Sequence, residues 1–174
     1  TAINFFVRDL PRLSVDIDLT YLPCESRNET LTNITKKLHG LAKQFRNTFP
    51  GIRIEEKEDQ ERNVSKLLVN YQNALVKIEP NLIIRGSVFP LEERELSKKA
   101  ETAFEKFVST KTLPFVALYG SKICAALDRQ HPRDLFDIKL LFENEGFTGG
   151  IRKAFLVYLI SSNRPMNELL NPTL

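Results

Sequence analysis

Apolar and polar residues alternate along RLSVDIDLT (12–20), which predicts a strand. Side chains two apart share a face, so Leu13, Val15, Ile17 and Leu19 point one way and Arg12, Ser14, Asp16 and Asp18 the other. Residues 1–7, TAINFFV, read as the body or end of an apolar helix, followed by a turn over 9–11. After Pro23, the residues Leu31, Ile34, Leu38, Leu41 and Phe45 recur at helical spacing, with Lys36, Lys37, Lys43 and Arg46 elsewhere around the wheel. This amphipathic helix stops at Pro50 and Gly51. Three further strands are predicted over 51–59, 65–72 and 74–84. On the last, Val76, Ile78, Leu82 and Ile84 occupy one face, and Leu75, Lys77, Glu79, Asn81 and Arg85 the other.

From about residue 91 the period becomes helical. EERELSKKAETAFEKFV (92–108) predicts a charged helical stretch, broken in part, that covers the sheet, and TLPFVALYGSKICAALDRQ (112–130) an apolar helix. Further helices are predicted over 132–145 and 151–161. Strands first and helices last predict an α+β core, residues 1–112, with a C-terminal helical lobe, residues 113–174.

The polar faces carry the candidate chemistry. Asp16 and Asp18 lie side by side, and like charges held that close repel unless a cation sits between them. Adjacent carboxylates suit Mg²⁺ or Mn²⁺, hard ions that share one or two such ligands with substrate phosphates. A solvated strand face would also accommodate two aspartates, although aspartate is disfavoured in strands. Glu79 is a second carboxylate on the polar side of a strong strand, and an exposed Lys and Glu there would need no chemistry. Together, Asp16, Asp18 and Glu79 form the set of fixed oxygens that a two-metal phosphoryl-transfer site requires, provided their strands are neighbours.

A second constellation lies over 122–137, KICAALDRQHPRDLFD. Lys122 and Arg129 share a helical face, and Lys122 offers a point charge suited to a triphosphate. Arg133, Asp134 and Asp137 stand at i,i+3 and i,i+4 spacing and, with Arg129, can form a supporting ion-pair network. Two helices fastened by salt bridges would show the same pattern. Leu135, Phe136, Ile138 and Leu141 are available for the core, and His131 reads as a turn residue.

Composition narrows the classes only slightly. The 174 residues carry 25 Lys and Arg against 22 Asp and Glu, an excess of +3 that is compatible with a nucleic-acid partner without requiring one. Cys24 and Cys124 lack metal-ligand spacing and fit a reducing, cytoplasmic setting. No apolar run is long enough to span a bilayer.

The sequence resembles the nucleotidyltransferase-like proteins grouped with the AbiE and AbiG phage-abortive-infection toxins, of the DNA polymerase beta type. The matching motifs are TAINFF (1–6), RLSVDIDL (12–19), KIEPN (77–81) and 122–137, with NELLNP near the end. The resemblance implies a minimal nucleotidyltransferase mixed sheet flanked by helices and joined to a helical lobe. It implies Mg²⁺-dependent transfer of a nucleotide from an NTP to an acceptor hydroxyl. Asp16 and Asp18 would ligate metal, Glu79 would be the third carboxylate, Ser14 would lie near the phosphates and Lys122 would touch the triphosphate. Asp134 and Asp137 would shape the nucleotide pocket. Characterised relatives act on tRNA or bind GTP and are commonly encoded beside an antitoxin, so tRNA or another RNA and a cognate antitoxin are the implied partners.

The family pattern places two glycines just ahead of the residue matching Thr1, where backbone N–H groups receive phosphate. Because the sequence begins at Thr1, the expectation is a core lacking its N-terminal start, with weak or absent turnover until a Gly-Gly extension is restored. Three other classes remain: a non-catalytic nucleotide- or RNA-binding relative, a metal-dependent phosphohydrolase, and a purely structural protein whose polar strand faces are solvated surface.

Overall fold

Strand pairing brings the carboxylate-bearing segments together. The computed structural model describes residues 2–14 and 16–171, so the expectations for Thr1, Val15 and Pro172 lie outside the described residues. The chain is α+β: a four-stranded mixed sheet with helices, and a C-terminal helical lobe. Its contacts divide into two compact units, Ser14–Gly86, and Ala2–Leu13 together with residues 87–171.

In the first unit β1 (Asp16–Tyr21), α1 (Arg27–Thr48), β2 (Arg53–Glu58), β3 (Val64–Tyr71) and β4 (Ala74–Arg85) follow one another, with sheet order β1-β4-β3-β2. β1 runs parallel to β4, and the other pairs are antiparallel. A parallel pair needs a long crossover, which α1, β2 and β3 provide. Between β3 and β4, Gln72 and Asn73 both have positive φ, 48° and 65°, as a two-residue type I′ turn demands.

Helix α1 forms where the apolar spacing predicts it. Ser26 and Glu29 close a capping box, the Ser26 N–H donating to the Glu29 carboxylate at 3.1 Å. The buried stripe Leu31, Ile34, Leu38 and Ala42 faces the sheet, where Ile34, Leu38 and Ala42 pack with Leu67, Val69 and Ile78.

β1 departs from its prediction in two ways. Pairing starts at Asp16, so Arg12 and Ser14 precede the strand instead of sharing its polar face. On the apolar side Leu13 is 70% exposed and Ile17 41%. β1 is an edge strand while α1 lies over β2 and β3, which leaves Ile17 beside an open groove of about 250 Å³ shared with Phe45, Phe49 and Tyr71.

The second unit holds a π-helical turn over Ile3–Val7, β5 (Glu92–Glu95), α2 (Lys98–Phe104) and β6 (Ser109–Thr112). The helical lobe follows as α3 (Phe115–Arg129), α4 (Pro132–Asn144), α5 (Gly149–Ile160) and α6 (Met166–Leu170). Of the broken helical stretch expected over 92–108, only Lys98–Phe104 is helical, and its first part is corrected to a strand. Ser97 caps α2, its hydroxyl accepting from the Ala100 N–H, and Glu105 ends it in the left-handed region at φ 49°. Glu92–Glu95 instead pairs antiparallel with Ser109–Thr112, the partner strand overriding a weak local preference.

Close packing of α3 on α5 depends on Gly120. A Cβ there would stand 2.7 Å from Ala154 Cβ and 2.8 Å from the Phe155 backbone nitrogen. Overpacking costs about 1–3 kcal/mol, while the better helix propensity of alanine returns up to about 1 kcal/mol. Gly120→Ala is therefore expected to lower the urea midpoint. A midpoint at or above the parent's would contradict this close approach.

Candidate active site

The register of β1 on β4 builds one polar face. Asp16 is opposite Lys77, and Asp18 is opposite Glu79. All four therefore alternate with Ile17 and Ile78, which turn to the apolar side. The Lys77 ammonium lies 2.8 Å from Glu79 Oε2 and 3.8 Å from Asp16 Oδ2, and the Lys66 ammonium reaches Glu79 Oε1 at 3.8 Å. Asp16, Lys77, Lys66 and Glu79 are each about one-third exposed, so the face is open to a ligand. The hydrogen bond to Glu79 raises the Lys77 pKa above the ordinary lysine value; burial opposes it, and the charges of Glu79, Asp16 and Asp18 add to it. Ser14 lies two residues ahead of the first residue of this strand, in the same unit.

Among the described residues, no group of three or more His, Cys, Asp or Glu is gathered closely enough to cage an ion unaided. The donors present are nevertheless carboxylate oxygens on facing positions of two paired strands. That chemistry fits a hard divalent cation whose remaining ligands are substrate phosphates and water.

The second constellation forms a buried network in the helical unit. Asp134, in the first turn of α4, accepts from Lys122 Nζ at 3.0 Å and from Arg129 Nε at 2.7 Å. One helical turn on, Asp137 accepts from Arg12 Nε at 2.9 Å and Nη2 at 2.6 Å, with Lys122 Nζ 3.4 Å away. Both carboxylates are buried. Lys122 and Arg129 thus converge as their shared helical face suggests, but Arg133 does not join them. Its side chain is exposed and makes no ion pair among the described residues, and Arg12 takes the place beside Asp137. The inward stripe of α4 is Asp134, Asp137 and Leu141, so Leu135 and Phe136, expected in the core, are exposed instead. His131 is the N-cap of α4, its Nδ1 accepting from the Arg133 N–H at 3.1 Å.

Sequence reading missed Arg8 as well as Arg12. The Arg8 guanidinium donates to the Tyr119 hydroxyl and to Glu145, each at 2.8 Å, tying the N-terminal turn to α3 and the end of α4. The signal available was a pair of arginines flanking the turn at 9–11, without any indication of their distant partners. Cys124 is held out of thiolate chemistry, since burial pushes its thiol up to about 12.

Opposing influences set the charge of Asp134. Burial pushes its pKa up, but hydrogen bonds and charges from Arg129 and Lys122 outweigh it and leave the pKa below the usual aspartate value. A depressed folded pKa contributes stability that is complete above the unfolded value, about 3.9, and is lost as pH falls through the folded one. Between about pH 5 and pH 2 the parent should lose more stability than Asp134→Asn, measured as urea midpoint against pH. Equal slopes would show that the carboxylate is not ionised in this network.

The structure thus joins a mixed sheet that pairs an Asp-x-Asp strand with a Lys-x-Glu strand to a helical lobe with a buried lysine–aspartate network. The family model described as "Nucleotidyl transferase AbiEii toxin, Type IV TA system" matches residues 1–173, and the chain belongs to that family. Membership supports a nucleotidyltransferase-like fold and activity in general. No curated protein and no solved structure matches the chain. Among the described residues, no helix is long and apolar enough to cross a membrane.

Proposed function

We propose that this chain transfers a nucleotide from an NTP to an acceptor hydroxyl, with tRNA or another RNA as acceptor, as the toxin of a toxin–antitoxin or abortive-infection system. The observation that supports this reading most is the register setting Asp16 and Asp18 opposite Lys77 and Glu79 on one open face. Asp16 and Asp18 would hold Mg²⁺ or Mn²⁺, with Glu79 as the third carboxylate. When bound, the ion offsets negative charge on the phosphates as it develops.

The acceptor hydroxyl gives up its proton to solvent as its oxygen attacks the α-phosphorus, the bond to the β-phosphate bridge breaks and pyrophosphate leaves. Ser14 donates its hydroxyl to a phosphate oxygen. Lys122 supplies positive charge to the triphosphate, and its orientation is set by Asp134 and Asp137. Arg129 supports Asp134, while Arg133 is exposed in the first turn of α4 and offers a cation to the nucleotide. A cognate antitoxin would restrain the activity in the cell.

The test uses α-labelled forms of each of the four NTPs with total RNA and Mg²⁺ or Mn²⁺. Label is expected in an RNA fraction. NTP binding without label transfer would identify a non-catalytic relative, and release of phosphate or pyrophosphate without labelled RNA a phosphohydrolase.

A further inference from the structure

Lysine is an unexpected neighbour for carboxylates that are to hold a metal ion. Lys77 lies 2.8 Å from Glu79 and 3.8 Å from Asp16, and Lys66 approaches Glu79 at 3.8 Å. These ammonium groups occupy space next to the very oxygens that would coordinate a divalent cation. Among the described residues, the two ammonium groups offset much of the charge of these carboxylates. Such a face attracts a bare divalent ion weakly, and Mg²⁺ sheds its water reluctantly.

We infer that Lys77 is a resident cation of the carboxylate face and makes divalent-ion binding depend on the nucleotide. An ion coordinated by Asp16 or Glu79 would stand within a few ångströms of the Lys77 charge, so the ammonium must move away as the ion enters. Its long stem and one-third exposed side chain permit that movement. A triphosphate brings anionic oxygens that complete the ion's ligands and give the displaced ammonium a new partner. Ion and nucleotide therefore bind cooperatively, each raising the affinity for the other by the same factor. Lys77 is a positioning residue in this arrangement. Before loading it keeps the carboxylates from repelling one another, and on loading it discriminates against an ion that arrives without nucleotide.

The inference rests on the nucleotidyltransferase reading for the identity of the nucleotide, and its test reads metal uptake separately from transfer. Free Mn²⁺ is measured by its paramagnetic resonance signal in the presence of the full chain, with and without an NTP analogue that cannot release pyrophosphate, and the Mn²⁺ held by the analogue alone is subtracted. The parent is expected to bind Mn²⁺ at least about tenfold more tightly with the analogue. Lys77→Gln is expected to bind Mn²⁺ alone at least about tenfold more tightly than the parent, the scale of a unit charge removed from beside a divalent ion even under water-like screening. The same variant should lose most of the dependence on the analogue, and Lys77→Arg should retain it. Tight Mn²⁺ binding by the parent without nucleotide, or an affinity unmoved by Lys77→Gln, overturns the inference. Label transfer on the same preparations separates the two ways of failing. Transfer that persists while Lys77→Gln leaves Mn²⁺ affinity unchanged overturns the role of Lys77 alone. Neither transfer nor Mn²⁺ uptake in any preparation overturns that role together with the reading beneath it.

Discussion

Asparagine at position 18 is expected to remove label transfer while leaving the fold intact. Asp18 is exposed on the polar face of β1 with Glu79 as its strand partner, so the substitution keeps shape and removes charge from a site outside the core. Stability should stay within about 0.5 kcal/mol of the parent, as for most exposed positions. In the proposed function, transfer depends on the charge itself. Losing a group that stabilises the transition state electrostatically lowers the rate by about 10³-fold, or about 4 kcal/mol in the barrier. Asp16→Asn should act in the same direction. The decisive measurement pairs initial transfer rates at saturating NTP and Mg²⁺ with urea denaturation of the same samples. Parent-like rates in both variants would remove Asp16 and Asp18 from the chemistry, whereas a lowered midpoint would attribute a lost rate to unfolding.

The carboxylate face is legible in the sequence because a strand has a two-residue period. Alternation in RLSVDIDLT alone assigns Asp16 and Asp18 to one face, and Glu79 interrupts its own strand in the same manner. Adjacency of the two strands is another matter. The order β1-β4-β3-β2 joins segments some 60 residues apart, and no local pattern specifies that pairing. Lys77 illustrates the consequence. Along β4 it reads as an ordinary solvated companion of Glu79, and only the register opposite Asp16 turns it into a shared counter-charge.

Local signals also explain the contrast between α1 and the segment 92–108. α1 carries a capping box and an apolar stripe at helical spacing, so propensity, pattern and tertiary packing agree. The segment 92–108 is rich in Glu, Lys and Ala, good helix formers that are also ordinary surface residues. Its first part becomes a strand because Ser109–Thr112 provides a partner, information that a window of the sequence does not contain. In α4 the apolar pattern misleads for a chemical reason. Asp134 and Asp137 occupy inward positions that hydrophobicity would assign to Leu135 or Phe136, and they do so because Lys122, Arg129 and Arg12 compensate their burial.

That compensation makes Asp137→Ala the substitution with the largest expected loss of stability. The Asp137 side chain is 1% exposed, and its partners Arg12 and Lys122 are 17% and 16% exposed. Arg12 grips both carboxylate oxygens with its planar fork, a geometry that lysine could not reproduce. Removing the carboxylate leaves a largely buried guanidinium without its counter-charge, which costs about 3–5 kcal/mol. Asp137→Asn keeps an acceptor in place and should cost less. Arg12→Ala leaves Asp137 beside Lys122 and should also cost less than Asp137→Ala. With both residues replaced by alanine, the loss should fall well short of the sum of the single losses, because the second truncation removes a charge the first had stranded. Urea denaturation of the four proteins measures this coupling directly. A loss below about 1 kcal/mol in Asp137→Ala would mean that solvent reaches the Arg12 fork easily, leaving the network little role in holding Ala2–Leu13 against α4.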